Sequence, residues 1–117
     1  MLNMVEVLKT SVFDAWLSDL KDRQAVARIA ARIDRLALGN AGDVKPVGSG
    51  VSEMRVDYGP GYRVYYQQRG SLVVLLLCGG DKRTQDADIK QAKKLAGDWR
   101  QQGKAKPTAQ PKVSKKR

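Results

Sequence analysis

Residues 72–78 form an unbroken apolar run, which constrains the fold more than any other segment of this chain. Turn-forming residues stand on both sides of the run, at positions 69–71 and 79–80. A short apolar run between turns is typical of an interior strand that is buried on both faces. The run is also too short to cross a bilayer, which takes about 20 residues. The sequence therefore predicts a sheet with this strand in its interior.

The segments before this run have the period of two that indicates strands. Residues 52–58 and 62–67 alternate apolar or aromatic side chains with polar ones, and a Gly-Pro-Gly turn separates the two stretches. A further short strand is predicted at residues 44–47, where Pro46 confines it to a sheet edge or a strand start. Because tight turns link these strands, a mostly antiparallel sheet is expected.

Two amphipathic helices are predicted before these strands and one after them. Ser11 with Asp14 resembles a capping box for the first helix, Asp22 can cap the second, and Thr84 can cap the third. The apolar positions recur at helical spacing: Phe13, Trp16, Leu17 and Leu20; Val26, Ile29, Ala30, Ile33, Leu36 and Ala37; Ile89, Ala92, Leu95, Ala96 and Trp99. The first two helices therefore form a hairpin with one apolar face to bury.

With a short first strand at residues 4–8, the predicted order is β-α-α-β-β-β-α. This is an α+β fold: a mostly antiparallel sheet carries the helical hairpin on one face, and a C-terminal helix follows. Strand alternation places Arg55, Arg63, Tyr65 and Gln67 on one face. The spacing therefore predicts an exposed, basic, tyrosine-bearing face opposite the hairpin.

The charge distribution indicates one domain and a tail. The net charge of +10 favours an anionic partner, either a nucleic acid or an acidic protein. Six cations and no acid lie in residues 103–117, where Val113 is the only sizeable apolar residue. Such a segment cannot bury enough surface to offset its ordering entropy. We therefore predict a domain at residues 1–102 and a disordered basic tail at 103–117, which is either an incidental extension or a non-specific polyanion contact.

Cysteine and histidine usage limits the chemistry. Cys78 is the only cysteine, so no intramolecular disulfide can form, and a reducing cytoplasm is the expected location. Its place in an apolar strand predicts a buried small hydrophobe. Because the chain has no histidine and its carboxylates show no ligand spacing, no metal site or cofactor is predicted. No signal peptide or membrane segment is expected.

A series of short motifs runs through residues 4–99. The motifs are Leu20-Lys21-Asp22, Ala27-Arg28-Ile29, Arg32-Ile33-Asp34-Arg35-Leu36, Gly39-Asn40-Ala41-Gly42-Asp43-Val44-Lys45, Gly48, Gly50-Val51-Ser52-Glu53-Met54-Arg55, Gly59-Pro60-Gly61-Tyr62-Arg63-Val64-Tyr65-Tyr66, Leu75-Leu76-Leu77-Cys78-Gly79-Gly80-Asp81-Lys82 and Gln85-Asp86-Ala87-Asp88-Ile89. In this order and spacing they resemble the RelE/ParE toxin superfamily, specifically the HigB-like "addiction module killer" proteins.

This resemblance implies a toxin that a small antitoxin neutralises, by analogy a helix-turn-helix protein that also contacts operator DNA. RelE-like and HigB-like members cleave mRNA on the ribosome: the RNA 2′-hydroxyl attacks the adjacent phosphate, without a metal, and basic side chains stabilise the phosphorane. ParE-like members share the fold but poison DNA gyrase, so fold alone does not decide between the two functions. A degenerate member that retains only antitoxin or operator binding is a third interpretation.

Two arginines are the first candidates for the phosphate site. RNA cleavage needs a positioned phosphate, stabilised negative charge and proton transfer. Arg63 follows a rigid turn, and both Arg63 and Arg55 can hold phosphate oxygens in a fork. Arg63 could instead be an ordinary solvated strand arginine or an antitoxin contact. Arg55 could instead pair with Glu53 or Asp57.

The loop at residues 79–83 is the second candidate region. Its glycines can let backbone amides approach a phosphate at a helix N-terminus, where Lys82 and Arg83 add positive charge. Alternatively, the glycines serve only the turn and Asp81 pairs with one of the cations. Lys45 could reach the substrate backbone from the start of the strands.

Proton transfer has no obvious carrier, because histidine, the usual near-neutral acid–base group, is absent. The candidates are Tyr65, Glu53, a lysine of lowered pKa or the ribosome itself. Tyr65 could equally stack on a base or be a plain strand aromatic.

Overall fold

The computed structural model describes residues 5–105, with side chains described for residues 5–99. The elements are β1 (Glu6–Lys9), α1 (Ser11–Asp19), α2 (Arg23–Ala37), β2 (Val44–Gly48), β3 (Val51–Val56), β4 (Tyr62–Arg69), β5 (Val73–Gly80), a 3₁₀ turn (Lys82–Thr84) and α3 (Gln85–Ala105). The protein has an α+β fold. The predicted strand at residues 44–47 is present as β2 and is paired in the sheet, so the observed order has four strands between α2 and α3.

The five strands form one sheet in the order β1-β5-β4-β3-β2. The three pairings from β2 to β5 are antiparallel, and β1 pairs with β5 in parallel. Two predictions are confirmed: the apolar run lies in an interior strand, and the strand that contains Pro46 lies at the sheet edge. The parallel pairing gives Glu6–Lys9 a partner that follows it by more than 60 residues in the chain.

One face of the sheet, here called the hairpin face, is covered by α1 and α2. Its apolar core joins the two helices to β3, β4 and β5; the buried residues are Phe13, Ile29, Leu36, Met54, Val56, Val64, Tyr66, Val74 and Leu76. Asp22 caps α2 as predicted, accepting hydrogen bonds from the backbone N–H groups of Gln24 and Ala25. The cap of α1 differs from the prediction, because Thr10 rather than Ser11 accepts the Phe13 N–H.

The other face, here called the α3 face, is partly covered by the C-terminal helix. A second core joins α3 to β3, β4 and β5; its buried residues are Val51, Tyr65, Leu75, Leu77, Cys78, Ala92 and Ala96. A bulge in β5 lets Leu77 and Cys78 face the same side. The prediction of a face that is exposed throughout is therefore wrong, because the apolar stripe of α3 needs a surface to pack against. The predicted burial of Cys78 is confirmed.

The start of α3 also differs from the prediction. Asp81 caps the 3₁₀ turn that precedes the helix, and Thr84 completes a capping box with it. The helix continues to Ala105, three residues past the predicted domain boundary, and the rest of the predicted tail lies outside the described residues. Across the described residues, no helix has the length and apolar character needed to span a membrane.

Candidate anion-binding site

Arg55 and Arg63 lie directly opposite each other on β3 and β4, on the α3 face. Directly opposed residues have Cβ atoms about 5 Å apart, and like charges at such positions repel. The Arg55 side chain is 36% exposed and that of Arg63 is 13% exposed. The structure therefore brings the two predicted arginines together on the predicted side of the sheet, with Arg63 less exposed than predicted.

Glu53 supplies the charge that offsets this repulsion. Its side chain is fully buried, and its Oε1 accepts a hydrogen bond from Nε of Arg55 at 3.3 Å. Nε of Arg63 lies 3.8 Å from Oε2, too far for a hydrogen bond, and is buried with no hydrogen-bond partner among the described residues. One carboxylate thus faces two guanidinium groups, which leaves this group of three side chains with net positive charge. The alternative that Arg55 pairs with Glu53 is confirmed.

The carboxylate of Glu53 is itself held by two further donors. Its Oε2 accepts a hydrogen bond from the Tyr65 hydroxyl at 3.0 Å and another from Nε2 of Gln85 at 2.8 Å. Burial raises the pKa of Glu53, but the hydrogen bonds from Gln85, Tyr65 and Arg55, with the charge of Arg63, lower the pKa by more. The pKa therefore lies below its ordinary value, and Glu53 is an anion at neutral pH.

Tyr65 is not available at the surface. Its side chain is fully buried, contrary to the predicted exposed position, because α3 packs over it. Burial and the hydrogen bond to Glu53 raise the pKa of its hydroxyl further above the ordinary value. In this arrangement Tyr65 can neither stack on a base nor exchange a proton with a bound molecule, and its hydroxyl serves Glu53.

Lys82 joins the arginine pair from the 3₁₀ turn. A Cβ placed on Gly61 would lie 3.6 Å from the Cβ of Lys82 and 3.8 Å from Nη1 of Arg63, so both cations flank the β3–β4 turn. Lys82 is exposed. Lys45 extends the same face on β2, where it is in register with Glu53 and is also exposed. Four of the predicted cations therefore lie on one side of the sheet.

Arg83 is already engaged within the chain. It is exposed and forms a salt bridge to Asp81 at 3.0 Å, which confirms the alternative that Asp81 pairs with a loop cation. Asp81 Oδ1 also accepts the backbone N–H of Arg83 at 2.8 Å. A carboxylate thus occupies the position at this turn where an anionic ligand was expected, and Arg83 is the weakest of the predicted binding residues.

Gly79 and Gly80 were predicted in a loop, but they are the last two residues of β5 and are paired with β4. A Cβ on Gly79 would lie 2.3 Å from the Trp16 ring, and one on Gly80 would lie 1.8 Å from Oδ2 of Asp88. Side chains of Trp16 and Asp88 therefore fill the space where a Cβ of either residue would lie. Burial and the nearby charge of Asp81 raise the pKa of Asp88, although a hydrogen bond from Thr84 lowers it in part.

The supporting roles of three residues were not predicted. Gln85 was not predicted as a site residue, and Glu53 was predicted as a proton carrier or a partner of Arg55 but not as a group bonded to Tyr65 and Gln85. The guanidinium of Arg32, on α2, reaches β3 and donates to the backbone oxygens of Arg55 and Ala41. The sequence does contain a signal for Glu53, because it is a charged residue on an alternating strand and lies opposite the aromatic Tyr65 of the next strand. Arg32 and Gln85 have no comparable local signal.

The arrangement can bind an anion through the outer nitrogens of the arginine pair. Among the described side chains, the printed contacts of Arg55 and Arg63 involve their Nε atoms, and no hydrogen bond engages their Nη groups. Those groups can meet phosphate oxygens in a fork. In the described part of the chain, no cluster of His, Cys, Asp or Glu could hold a metal ion.

Fold and site together define a small α+β protein with a carboxylate-supported pair of arginines on a basic sheet face. No family model matches the chain. The chain is 55% identical over 92 residues to an uncharacterized protein of Haemophilus influenzae (strain ATCC 51907 / DSM 11121 / KW20 / Rd), an alignment that covers 79% of this chain and 93% of that protein. At this identity and coverage, the chain belongs to the same family as the Haemophilus protein.

Proposed function

We propose that this chain is the toxin of a type II toxin–antitoxin pair, with the RelE/ParE topology, and that it cleaves mRNA on the ribosome. The proposal rests on the motif resemblance and is supported by the α+β fold with its helical hairpin, antiparallel strands and C-terminal helix. Its partners would be a cognate antitoxin, through it operator DNA, and the translating ribosome in the cytoplasm.

The arginine pair is the observation that carries this proposal. Two like charges opposite each other weaken a sheet, and the single carboxylate of Glu53 balances only one of the two. A phosphate between the arginines would balance the remaining charge, since each guanidinium can contact two oxygens and both can stabilise the extra negative charge of a phosphorane. Lys82 and Lys45 would contact the RNA backbone on either side, and Arg83 would contribute less because Asp81 holds it.

Charge stabilisation would then be the main contribution of this chain to catalysis. The two candidate proton carriers in the site, Tyr65 and Glu53, are fully buried and bonded to each other. No histidine is available in their place. The proton of the 2′-hydroxyl would therefore pass to a lysine, to water or to a group of the ribosome.

The decisive experiment is to map transcript 5′ ends after brief induction of this chain in bacteria. The proposal expects growth arrest with new 5′ ends inside coding regions. Arg63→Ala should relieve the arrest and lower the number of new ends at least tenfold, because it removes one side of the fork. Arg35→Ala, an exposed arginine on α2 outside the site, is the matched control and should still arrest growth. Arrest with intact transcripts would contradict RNA cleavage.

A non-enzymatic gyrase poison of the ParE type is the second candidate. The burial of Tyr65 and Glu53 favours it, because a site without an accessible acid–base group can bind an anion but has little means to move a proton. This candidate expects DNA-damage signalling during the arrest while mRNA stays whole. The same induction experiment therefore distinguishes the two candidates.

A further inference from the structure

Glu53 is unusual for a buried acid because it contacts both members of a cationic pair. Its Oε1 lies 3.3 Å from Nε of Arg55, and its Oε2 lies 3.8 Å from Nε of Arg63. Both contacts use the inner Nε edge of a guanidinium. No hydrogen bond among the described side chains engages the Nη groups of either arginine.

Stability alone does not explain this arrangement. A buried ion pair loses much of its Coulombic gain to desolvation, and apolar residues of similar volume often serve a fold as well. The Nε of Arg63 is also buried without a hydrogen bond, which is unfavourable by itself. A cluster that is costly to bury and incompletely bonded is typical of a functional site.

The support of Glu53 comes from two different elements. Tyr65 on β4 and Gln85 at the start of α3 both donate to Oε2, so the carboxylate cannot rotate freely. Arg32 on α2 fixes the β3 backbone at Arg55 from the other side of the sheet. These contacts hold the carboxylate and the strand that carries it in one arrangement.

We propose that Glu53 is a positioning residue: its carboxylate holds Arg55 by a hydrogen bond at Nε and Arg63 by charge attraction, so that the Nη groups of both arginines converge on one phosphate of a single-stranded RNA. This inference rests on the proposed function, since it assigns the RNA phosphate to the arginine pair. Glu53 itself touches neither the phosphate nor the reacting hydroxyl. Its effect passes through the two arginines.

The test measures whether removing the negative charge of Glu53 strengthens or weakens RNA binding. Glu53→Gln keeps the shape of the side chain and makes a basic face more basic by one charge. If the face attracted RNA only by its charge, the variant would bind RNA more tightly. If Glu53 positions the arginines, it should bind a fully 2′-O-methylated, and therefore uncleavable, single-stranded RNA about tenfold more weakly.

Asp98→Asn is the matched control. It adds the same charge on an exposed part of α3, where Asp98 forms a salt bridge to Lys94, and it should leave the RNA affinity unchanged or slightly higher. The Nε–H signals of Arg55 and Arg63 in NMR spectra of the full chain give a second measurement. They should shift and exchange faster with water in Glu53→Gln and not in Asp98→Asn.

Unchanged or tighter RNA binding by a folded Glu53→Gln chain would overturn the proposal. If that variant does not fold, Gln85→Ala decides: it removes one donor to Glu53, keeps the net charge, and should weaken RNA binding about threefold. Wild-type affinity in Gln85→Ala would then count against positioning. If the wild-type chain binds no RNA, the proposed function fails, and the Nε–H signals still decide whether Glu53 holds the two arginines.

Discussion

The two faces of the sheet are both covered by helices, but they bury different chemistry. Under the hairpin, apolar and aromatic side chains form the core, and the one buried carboxylate among the described residues, that of Glu53, lies on the other face. Under α3, an apolar patch lies beside fully buried Glu53, which is bonded to Tyr65 and Gln85 and faces two arginines. Apolar burial stabilises a fold without requiring exact partners, whereas a buried charge needs every neighbour in place. The hairpin face therefore supplies stability, and the α3 face holds the site.

The largest expected effect is on the hairpin face. Phe13→Ala removes a ring that is 1% exposed at the centre of that core, and it should lower the free energy of unfolding by about 4 kcal/mol. Chemical denaturation measures this. At temperatures where the variant stays folded, its RNA affinity should equal that of the wild type, because the arginine pair lies on the other face.

Leu38→Ala is the control for this prediction. Leu38 is also a large apolar residue but is 77% exposed, so its removal should change the free energy of unfolding by less than about 0.5 kcal/mol. A large loss of RNA affinity in folded Phe13→Ala would contradict this prediction, because it would show that packing on the hairpin face affects the arginine pair on the α3 face.

Two neighbouring glycines offer a smaller and more direct comparison. Gly79→Ala would place a methyl group 2.3 Å from the Trp16 ring on the hairpin face, which cannot move without disturbing the core; we expect a loss of about 3 kcal/mol. Gly80→Ala would press on the carboxylate end of Asp88 on the α3 face, which can rotate away; we expect a loss of about 1 kcal/mol. Thermal or chemical unfolding of both variants measures the difference. Equal losses would mean that the α3 face is as tightly packed as the hairpin face.

Much of the fold follows from local patterns in the sequence. The apolar run predicts an interior strand, Pro46 predicts an edge, and Asp22 predicts a helix start, because each depends on a residue and its near neighbours. The parallel pairing of β1 with β5 does not follow, since nothing within four residues of β1 specifies a partner so distant in the chain.

The site was predictable only in part, for a related reason. Strand alternation correctly places Arg55 and Arg63 side by side, but it says nothing of what packs on top of them. The apolar stripe of α3 indicates that this helix must also pack against a surface. The sheet face opposite the hairpin is the face that α1 and α2 leave uncovered. Burial of Tyr65 and bonding of Gln85 to Glu53 then depend on where α3 crosses the sheet, which local spacing does not encode.

The smallest expected effect concerns acid stability, which should arise on the α3 face. The pKa of Glu53 is lower in the folded chain than its ordinary value of 4.5, so its carboxylate stabilises the fold above that pH. This stabilisation is lost as the pH falls from about 4.5 through the lower folded value. Asp88 has a raised pKa and acts in the opposite sense: its unfavourable charge is relieved as the pH falls through its folded pKa toward 3.8. The net effect is small, because burial opposes the favourable contacts of Glu53 and because Asp88 offsets Glu53.

The two acids can be separated by measuring the free energy of unfolding between pH 3 and pH 6. Glu53→Gln should make the decline toward acid shallower, because it removes a group whose protonation destabilises the fold. Asp88→Asn should make the decline steeper, because it removes a group whose protonation stabilises the fold. Variants in the apolar core of the hairpin face should leave the slope unchanged, since the one buried carboxylate among the described residues belongs to Glu53 on the α3 face. The same slope in all three proteins would mean that neither acid is held as the structure shows, and the contrast between the two faces would then rest on packing alone.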